Sequence, residues 1–214
     1  MKSLIIFLVI LVVGVDCLKA QSVIFFDDFG SASFPNGYSI YDVDSNTVNS
    51  TVSDIFDEAW VQLSFYEDDN AFIGSTSWYD PTGTSNDWLV SPPINLTTEN
   101  YLVFKTISVD STVHDGYELK LSTTTNEVDS FKTTLMEVNS ENSFWTTHVV
   151  DLSDYATDTI YLAWINNTNN GYVLGLDDVK VVEVNAFDVA IEKVLLEDKV
   201  EQNSEINVVI RNKG

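Results

Sequence analysis

The chain has 214 residues, of which 33 are Asp or Glu and 10 are Lys or Arg, which gives a formal net charge of −23. A field of this sign repels phosphate groups, so nucleic acids and anionic membrane surfaces are poor partners. Hydrophobic residues make up 44% and aromatic residues 12% of the chain, a composition that excludes an intrinsically disordered protein.

The start of the chain predicts a secretory signal peptide over residues 1–20. A positive residue is followed by an apolar run from Leu4 to Val15, and Ala20 offers a small residue at the cleavage position. This run is shorter than the roughly 20 residues of a membrane-spanning helix, so we expect no membrane insertion after cleavage. A retained anchor and a lipidated Cys17 are the weaker alternatives. Because Cys17 is the single cysteine, the mature chain has no disulfide, and metal ions are the expected substitute.

Beyond residue 20, apolar residues alternate with period two, the pattern of half-buried strands, and no segment sustains the spacing of an amphipathic helix. Polar segments rich in Asp, Asn, Ser, Thr and Gly separate the apolar ones, as turns do. The predicted strands are Ser22–Phe26, Gly37–Val43, Ala59–Phe65, Ala71–Gly74, Asp87–Ser91, Tyr101–Ile107, Tyr117–Ser122, Phe144–Asp151, Thr159–Ile165 and Tyr172–Val184.

This pattern predicts an all-β fold, an antiparallel jelly-roll sandwich over residues 21–184. Two further predicted strands, Phe187–Val194 and Glu205–Asn212, begin a second β unit over residues 185–214. Two strands cannot form a stable sandwich, so we expect further domains C-terminal to Gly214. The alternative is that these strands add to the first domain.

A series of short motifs, in a fixed order, resembles the cleaved adhesin domain family of the gingipain adhesin regions. The resemblance covers about Val23 to Val184 and implies a MAM-like jelly roll, calcium in its loops, adhesion or surface assembly, type IX secretion and no catalysis. The segment from Phe187 is similar to the opening of a CARDB-like or Ig-like domain. The motifs are Phe26-Asp27-Asp28-Phe29-Gly30-Ser31, Phe34-Pro35-Asn36-Gly37-Tyr38, Asp42-Val43-Asp44, Asn86-Asp87-Trp88-Leu89-Val90-Ser91-Pro92, Leu119–Thr124, Phe144-Trp145, Val150-Asp151-Leu152-Ser153, Ile160–Trp164 and Leu176-Asp177-Asp178-Val179.

The chain departs from the family at two of these motifs. The family has an acidic residue where this chain has Gly30, so Asp27 or Asp28 would have to replace it if that acid binds metal. The family has Trp where this chain has Tyr38, a change that keeps an aromatic residue.

The sequence offers three candidate calcium sites. Asp42-x-Asp44-x-Asn46 places oxygen ligands at alternate positions, as hard cations require, although an Asx-rich turn explains the pattern equally well. Asp177 and Asp178 interrupt the last apolar strand, where adjacent carboxylates are costly unless paired or metal-bound. Because the first and last strands of a jelly roll are often neighbours, Asp28 is expected near Asp177, and Asp27 is a further candidate ligand. The third is the acidic segment Glu67–Asn70, for which a solvated loop is the better interpretation. Asn86-Asp87 either caps a turn or adds a ligand, and the turn is the favoured interpretation.

The aromatic residues divide into core and surface candidates. Trp88 and Trp164 lie in apolar strand patterns and are predicted to be buried. Trp78-Tyr79 lies in a polar segment and is the candidate ligand-binding pair, since exposed rings stack on sugars or protein partners. The alternative is that these two rings pack over the edge of the sandwich. No nucleophile motif or phosphate-binding loop is present in the sequence, and His148 is predicted to lie in a strand at a surface or half-buried position.

These observations predict a secreted or cell-surface, non-catalytic adhesin module that is stabilised by calcium and recognises an extracellular protein or glycan. Two alternatives remain open at this stage. One is a carbohydrate-binding accessory module of a larger secreted hydrolase, and the other is a structural spacer of a surface protein. The fold alone cannot choose between them.

Overall fold

The computed structural model describes residues 22–30, 34–64 and 71–184, together with the backbone of two strands, 189–195 and 207–212. The predicted signal peptide and the acidic segment Glu67–Asn70 lie outside the described residues. Contacts within the chain define a compact unit, Ser22–Val184, that is separate from the C-terminal residues.

The unit is built from short strands connected by loops. Besides the strands, its described residues form two 3-10 turns, Val128–Ser130 and Ser153–Tyr155. The strands are β1 Ser22–Asp27, β2 Ser39–Asp42, β3 Val61–Ser64, β4 Ala71–Thr76, β5 Asp87–Val90, β6 Ile94–Asn95, β7 Asn100–Ser108, β8 Tyr117–Ser122, β9 Thr133–Val138, β10 Thr146–Asp151, β11 Thr159–Asn166 and β12 Val173–Glu183.

The strands form two antiparallel sheets, as the sequence predicts for a jelly-roll sandwich. One sheet has the order β10-β7-β12-β4-β3, with β1 paired to β12, and the other has the order β2-β5-β11-β8-β9, with β6 paired to β11. The first and last strands of the unit are therefore neighbours, with Asp27 opposite Val179. Sequential strands alternate between the sheets in several places, which leaves long connections at the ends of the sandwich.

The core lies between the two sheets, where the alternating apolar residues of each strand meet. On β8, Tyr117, Leu119 and Leu121 face inward, and the residues between them are partly exposed. The Phe104 ring on β7 packs edge-on against the Trp164 ring on β11, with centroids 5.6 Å apart. The predicted burial of Trp88 and Trp164 is confirmed.

The sequence pattern does not predict strands β6 and β9. All six residues of β9 are exposed or partly exposed, because β9 is an edge strand that pairs only with β8. Its apolar residues, Leu135, Met136 and Val138, do not alternate strictly, since the pairing with β8 shifts register between Leu119 and Lys120. An edge strand with a bulge carries a weak periodic signal, and β6 has only two residues.

Four loops meet at one end of the sandwich, which we call the loop end. They are the connections 43–60, 77–86, 109–116 and 167–172. Backbone hydrogen bonds join them, from Asn49 N to the carbonyl of Trp78 (2.9 Å) and from Ser85 N to the carbonyl of Thr168 (2.8 Å). Thr168 Oγ1 also accepts a hydrogen bond from Gly116 N (2.6 Å). The loops therefore form one packed layer over the end of the core.

The C-terminal strands β13, Val189–Leu195, and β14, Asn207–Asn212, form an antiparallel hairpin of their own. The pairing runs from Val189 opposite Asn212 to Leu195 opposite Asn207. In the described part of the chain, no helix has the length and apolar character needed to cross a membrane.

Candidate metal centre and loop-end groove

Three carboxylates meet where β2 ends and β5 begins. Asp42 is the last residue of β2 and pairs directly with Asp87, the first residue of β5. Asp44 follows in the adjoining loop, and one carboxylate oxygen from each of the three residues lies within 4.8 Å of the others. The structure thus brings together the predicted ligands Asp42 and Asp44 and adds Asp87, for which the sequence favours a turn.

Backbone amide groups hold the two loop carboxylates in place. Asp42 Oδ1 accepts a hydrogen bond from Ser45 N (2.6 Å), and Asp44 Oδ1 accepts one from Asn46 N (2.7 Å). Asp44 Oδ2 accepts a further hydrogen bond from Asn86 N on the neighbouring loop. Ser45 adopts a left-handed conformation with φ of 54°, which turns the chain tightly between the two carboxylates. The Asx turn expected from the sequence is therefore present within the cluster.

Asp87 is the buried member of the cluster, with 5% of its surface exposed. Its Oδ2 accepts hydrogen bonds from the Tyr79 hydroxyl (2.7 Å) and from Ser85 Oγ (3.1 Å). Burial, together with the negative charges of Asp44 and Asp42, raises the pKa of Asp87 to about 7, although the hydrogen bonds from Tyr79 and Ser85 oppose the rise. A cation at this position would relieve the same repulsion.

The cluster opens into a cavity of about 200 Å³ at the loop end. Five acidic side chains line it, and no Lys, Arg or His is among its lining residues. Asn46 adds an amide side chain, with its Nδ2 donating to the carbonyl of Thr84 (3.0 Å). Calcium binds six to eight oxygen ligands from carboxylates, amides, carbonyls and water, and this donor set fits that chemistry. The acidic residues that line the cavity are Asp42, Asp44, Asp57, Glu58 and Asp87.

The position of Tyr79 corrects one sequence-based expectation. Only 4% of its surface is exposed, so its ring cannot stack on an external ligand. Tyr79 instead donates its hydroxyl to Asp87, and burial together with the Asp87 charge raises its pKa well above the usual value. The residue points inward because it alternates with Trp78, whose ring lies at the surface of the same loop.

A buried polar network continues from Asp87 across the loop end. Ser75 Oγ lies 3.5 Å from Asp87 Oδ2 and accepts from Asn166 Nδ2 at 3.3 Å. Asn166 also donates to Asp115, whose Oδ1 accepts from Ser77 Oγ (2.5 Å). All five side chains are buried, and burial raises the pKa of Asp115 in spite of these donors. Through this network the second and third loops are tied to the strands beneath them.

The network also fixes the backbone beside Trp78. Asp115 Oδ2 accepts from Tyr172 N (2.8 Å), and Ser77 Oγ accepts from Gly171 N (3.0 Å). A Cβ atom on Gly171 would lie 2.5 Å from Asp115 Oδ1 and 2.6 Å from Ser77 Oγ, so only glycine permits this approach. The Trp78 ring, half-buried, meets the Tyr172 ring edge-on with centroids 5.7 Å apart. Trp78 keeps its place as a candidate ligand-binding residue.

The second predicted calcium site lies on β1 and β12. Asp177 is buried, and its Oδ1 accepts a hydrogen bond from Asp178 N (2.7 Å). Asp178 is partly exposed, and its Oδ2 forms an ion pair with Lys105 Nζ at 2.6 Å. The two carboxylates therefore separate, as alternation along a strand predicts. Asp178 has φ of 50° and lies in a bulge of the β12–β7 pairing.

On β1, two Asx turns involve the other predicted ligands. Asp27 Oδ1 accepts from Phe29 N (2.8 Å), and Asp28 Oδ1 accepts from Gly30 N (3.0 Å). The β1–β12 pairing places Asp27 opposite Val179, the residue after Asp178. Among the described residues, only Asp42, Asp44 and Asp87 form a close group of three acidic side chains. The calcium site on β1 and β12 stays a prediction.

The buried Glu141 and the half-buried His148 form a pair that the sequence does not reveal. His148 Nε2 lies 2.8 Å from Glu141 Oε2, which also accepts from Thr106 Oγ1 (2.7 Å). The His148 ring stacks on Phe104 with centroids 5.2 Å apart. His148 is half-buried in β10, as predicted, and His114 Nδ1 contacts the Glu141 carbonyl (2.5 Å). Both histidines of the chain therefore hold the 139–145 connection against the core.

No protein-family model matches the chain, and no curated protein matches it. Solved structures do match. The K1 and K3 cleaved adhesin domains of Lys-gingipain from Porphyromonas gingivalis W83 superpose with TM-scores of 0.57 and 0.58, at 18% and 19% sequence identity. The matches cover 75% and 76% of this chain and 98% of each adhesin domain. A cyclase from Fischerella sp. TAU matches with a TM-score of 0.51 at 11% identity, over 76% of this chain and 97% of the cyclase.

The chain therefore has the fold of the gingipain adhesin modules, and the predicted adhesin-type jelly roll is confirmed. At these identities the likeness concerns the fold alone. The cyclase, which is named as an enzyme, has a similar architecture, so the fold does not by itself specify the function.

Proposed function

We propose that the chain is a secreted, non-catalytic binding module that uses its loop end to recognise an extracellular protein or glycan and is stabilised there by calcium. The observation that carries the proposal is the acidic cavity around Asp42, Asp44 and Asp87, built where the loops of the sandwich converge. Loops held on a rigid β scaffold are the usual place for recognition. A cation between the loops would fix their conformation in a chain whose mature part has no cysteine.

Electrostatics support the calcium assignment. Three carboxylates within 4.8 Å of one another repel strongly unless a cation or protons compensate them. Two of the three, Asp42 and Asp44, accept backbone hydrogen bonds that fix the orientation of their carboxylates. Asp57 and Glu58 stand at the same cavity, so the oxygen-rich donor set favours a hard divalent cation over a transition metal.

The roles of the histidines support a non-catalytic function. The chain has two histidines, and each contacts Glu141 rather than the acidic cavity. Tyr79 and Ser85, the hydroxyl groups nearest the cluster, are engaged with Asp87. These side chains form structural hydrogen bonds, and the cavity residues are those of a cation site.

Thermal unfolding tests the calcium part of the proposal. With calcium at about 100 times its dissociation constant, binding adds about 2.7 kcal/mol and raises Tm by roughly 5–10 °C for a chain of this size. Asp87→Asn keeps the acceptor for Tyr79 and Ser85 but removes the charge, and it should abolish the rise. Asp154→Asn, an exposed substitution in a 3-10 turn, is the matched control. An equal rise in the Asp87→Asn variant would contradict this site.

The binding part is tested on immobilised extracellular matrix proteins and polysaccharides. We expect the purified protein to be retained by one class and released by excess soluble ligand of that class. Retention on polysaccharide that is lost in Trp78→Ala would favour the carbohydrate-binding alternative. No retention on either class, in the presence of calcium, would favour the structural spacer instead.

A further inference from the structure

A shallow groove of about 270 Å³ lies at the loop end, beside the acidic cavity. Three loops contribute to it, and its two largest residues are aromatic. We call it the Trp78–Tyr172 groove, and its lining residues are Trp78, Asp110, Val113, Asn170, Gly171 and Tyr172.

The aromatic surface of the groove is held in place before any ligand arrives. Thr76 Oγ1 accepts from Trp78 N (3.2 Å) and donates to the carbonyl of Tyr172 (2.6 Å), so one hydroxyl fixes both backbones. The two rings also pack on a small apolar cluster that includes Phe56 and Val173. A ligand that binds here therefore meets a preorganised surface, which lowers the entropy cost of binding.

The polar side of the groove is anionic. Asp110 Oδ1 accepts from Thr112 N (2.6 Å), Thr112 Oγ1 (2.6 Å) and Val113 N (3.0 Å). These donors lower the pKa of Asp110, so its carboxylate is charged at neutral pH. The groove lining contains no basic residue.

The charge of the surrounding unit has the same sign. Residues 22–184 contain 26 Asp or Glu and four Lys, and two of these lysines, Lys105 and Lys120, are already in ion pairs. The field at the loop end therefore attracts cations and repels acidic ligands.

We propose that the Trp78–Tyr172 groove binds a Lys or Arg side chain of an extracellular protein. The side chain would lie against the two rings, with its charged head towards Asp110. This inference rests on the proposed function and deepens it, because it selects a protein partner over a glycan. A cation over an aromatic face is attracted by the ring, and Arg also stacks on it. A neutral sugar would gain from the rings but nothing from the charge.

The test measures the binding of fluorescein-labelled Gly-Arg-Gly-Arg-Gly by fluorescence anisotropy at low salt. The same peptide with Gln in place of Arg is the ligand control. We expect the Arg peptide to bind, the Gln peptide to bind at least about tenfold more weakly, and 0.5 M NaCl to weaken the Arg complex.

Two variants locate the binding. Trp78→Ala should weaken binding of the Arg peptide about tenfold, and Asp110→Asn should weaken it about two- to fivefold. The matched controls are Phe144→Ala, which removes an exposed ring elsewhere, and Asp154→Asn; both should leave binding unchanged. Asn at position 110 keeps the Oδ1 acceptor of the loop, so this variant tests the proposal even if Trp78→Ala does not fold.

Equal binding of the Arg and Gln peptides, full binding by Asp110→Asn, or no binding of either peptide would overturn the proposal. Binding of a neutral oligosaccharide that Trp78→Ala abolishes would also overturn it, while leaving the proposed function as a binding module intact. The proposed function itself fails only if the protein is also not retained on matrix proteins or polysaccharides.

Discussion

Asp42 and Asp87 lie directly opposite each other on the adjacent strands β2 and β5. Like charges in this arrangement destabilise a sheet, and Asp44 adds a third carboxylate to the pair. The repulsion between these carboxylates lies at the edge of the core, and the burial of Asp87 strengthens it. The chemistry of the loop end therefore depends on whether a proton or a cation compensates the charge.

The affinity for calcium should depend on pH, because protons and calcium compete for Asp87. With a pKa of about 7, Asp87 is mostly protonated at pH 6 and mostly ionised at pH 8. We expect calcium to bind about tenfold more weakly at pH 6 than at pH 8, with release of a proton, as isothermal titration calorimetry in two buffers would show. Equal affinity at both pH values would mean that Asp87 is not a ligand.

Without calcium, the same group should make the protein less stable as pH rises. The pKa of Asp87 is raised on folding, so the folded state binds more protons than the unfolded state between pH 4 and 7. The contribution of Asp87 to the free energy of unfolding therefore falls across this window, by about 4 kcal/mol at most. Urea unfolding at pH 5 and pH 8 with a chelator measures the fall, and Asp87→Asn should reduce it. An unchanged pH dependence in this variant would assign the effect to other groups.

Asp177 and Asp178 should differ in their effect on stability. The Asp178–Lys105 pair is about 40% exposed, so Asp178→Asn should cost less than about 1 kcal/mol. Asp177 is buried, and Asp177→Asn should cost more, whether its carboxylate holds hydrogen bonds or also binds metal. Calcium titration of the two variants separates these roles, since a stoichiometry that falls by one in Asp177→Asn would establish the site on β1 and β12. Equal losses in stability for the two variants would contradict the difference in burial.

The Glu141–His148 pair should be a major local contribution to stability. Glu141→Gln removes a buried carboxylate that accepts hydrogen bonds from Thr106 and Asn142 and contacts His148, and should lower the free energy of unfolding by about 2 kcal/mol at pH 7. Burial alone would raise the pKa of Glu141, but hydrogen bonds from His148, Thr106 and Asn142 outweigh it and lower the pKa. The stabilisation is therefore present above the pKa that Glu141 has in the unfolded chain, and it is lost as pH falls through the lower pKa of the folded state.

Urea unfolding of the wild type and Glu141→Gln at pH 7 and pH 3.5 checks both statements. Glu137→Gln on the edge strand β9 is the exposed control and should change stability little. A difference between wild type and Glu141→Gln that persists unchanged at the lower pH would contradict the assigned role of the ionised carboxylate.

Gly171→Ala should disturb the loop end from within. The added methyl group would overlap Asp115 and Ser77, both buried, and should cost about 2 kcal/mol or more of stability. Gly30→Ala is a suitable control, because its nearest neighbour is the exposed Asp28 carboxylate at 3.2 Å, which can move. Thermal unfolding compares the two variants. Similar Tm values would show that the side chains of the Asp115 network can rearrange around a larger residue at position 171 at little cost in stability.

The strands that form the two sheets were largely predictable, because their apolar alternation is local. Tyr117, Leu119 and Leu121 indicate their inward face without any knowledge of their partners, and the burial of Trp88 and Trp164 followed from similar patterns. The edge strand β9 was not predictable in this way, since a strand with one partner and one exposed edge has little need for alternation.

The candidate site was only partly predictable. Asp42, Asp44 and Asn46 lie in one short segment, so their spacing alone indicates a cation loop or an Asx turn. Asp87 joins them through the pairing of β2 with β5, and its partner Tyr79 through the packing of a different loop. No local pattern specifies such contacts between distant segments.

The sequence by itself therefore determined the all-β class and the acidic character of the loops, because each depends on residue type and nearest-neighbour spacing. The tertiary structure alone decided which carboxylates meet, that Tyr79 faces Asp87 while Trp78 faces the surface, and that Tyr172 completes the groove. The physical reason is that a site is a set of distances between side chains, and these distances are fixed only when strand pairing and core packing bring remote segments together.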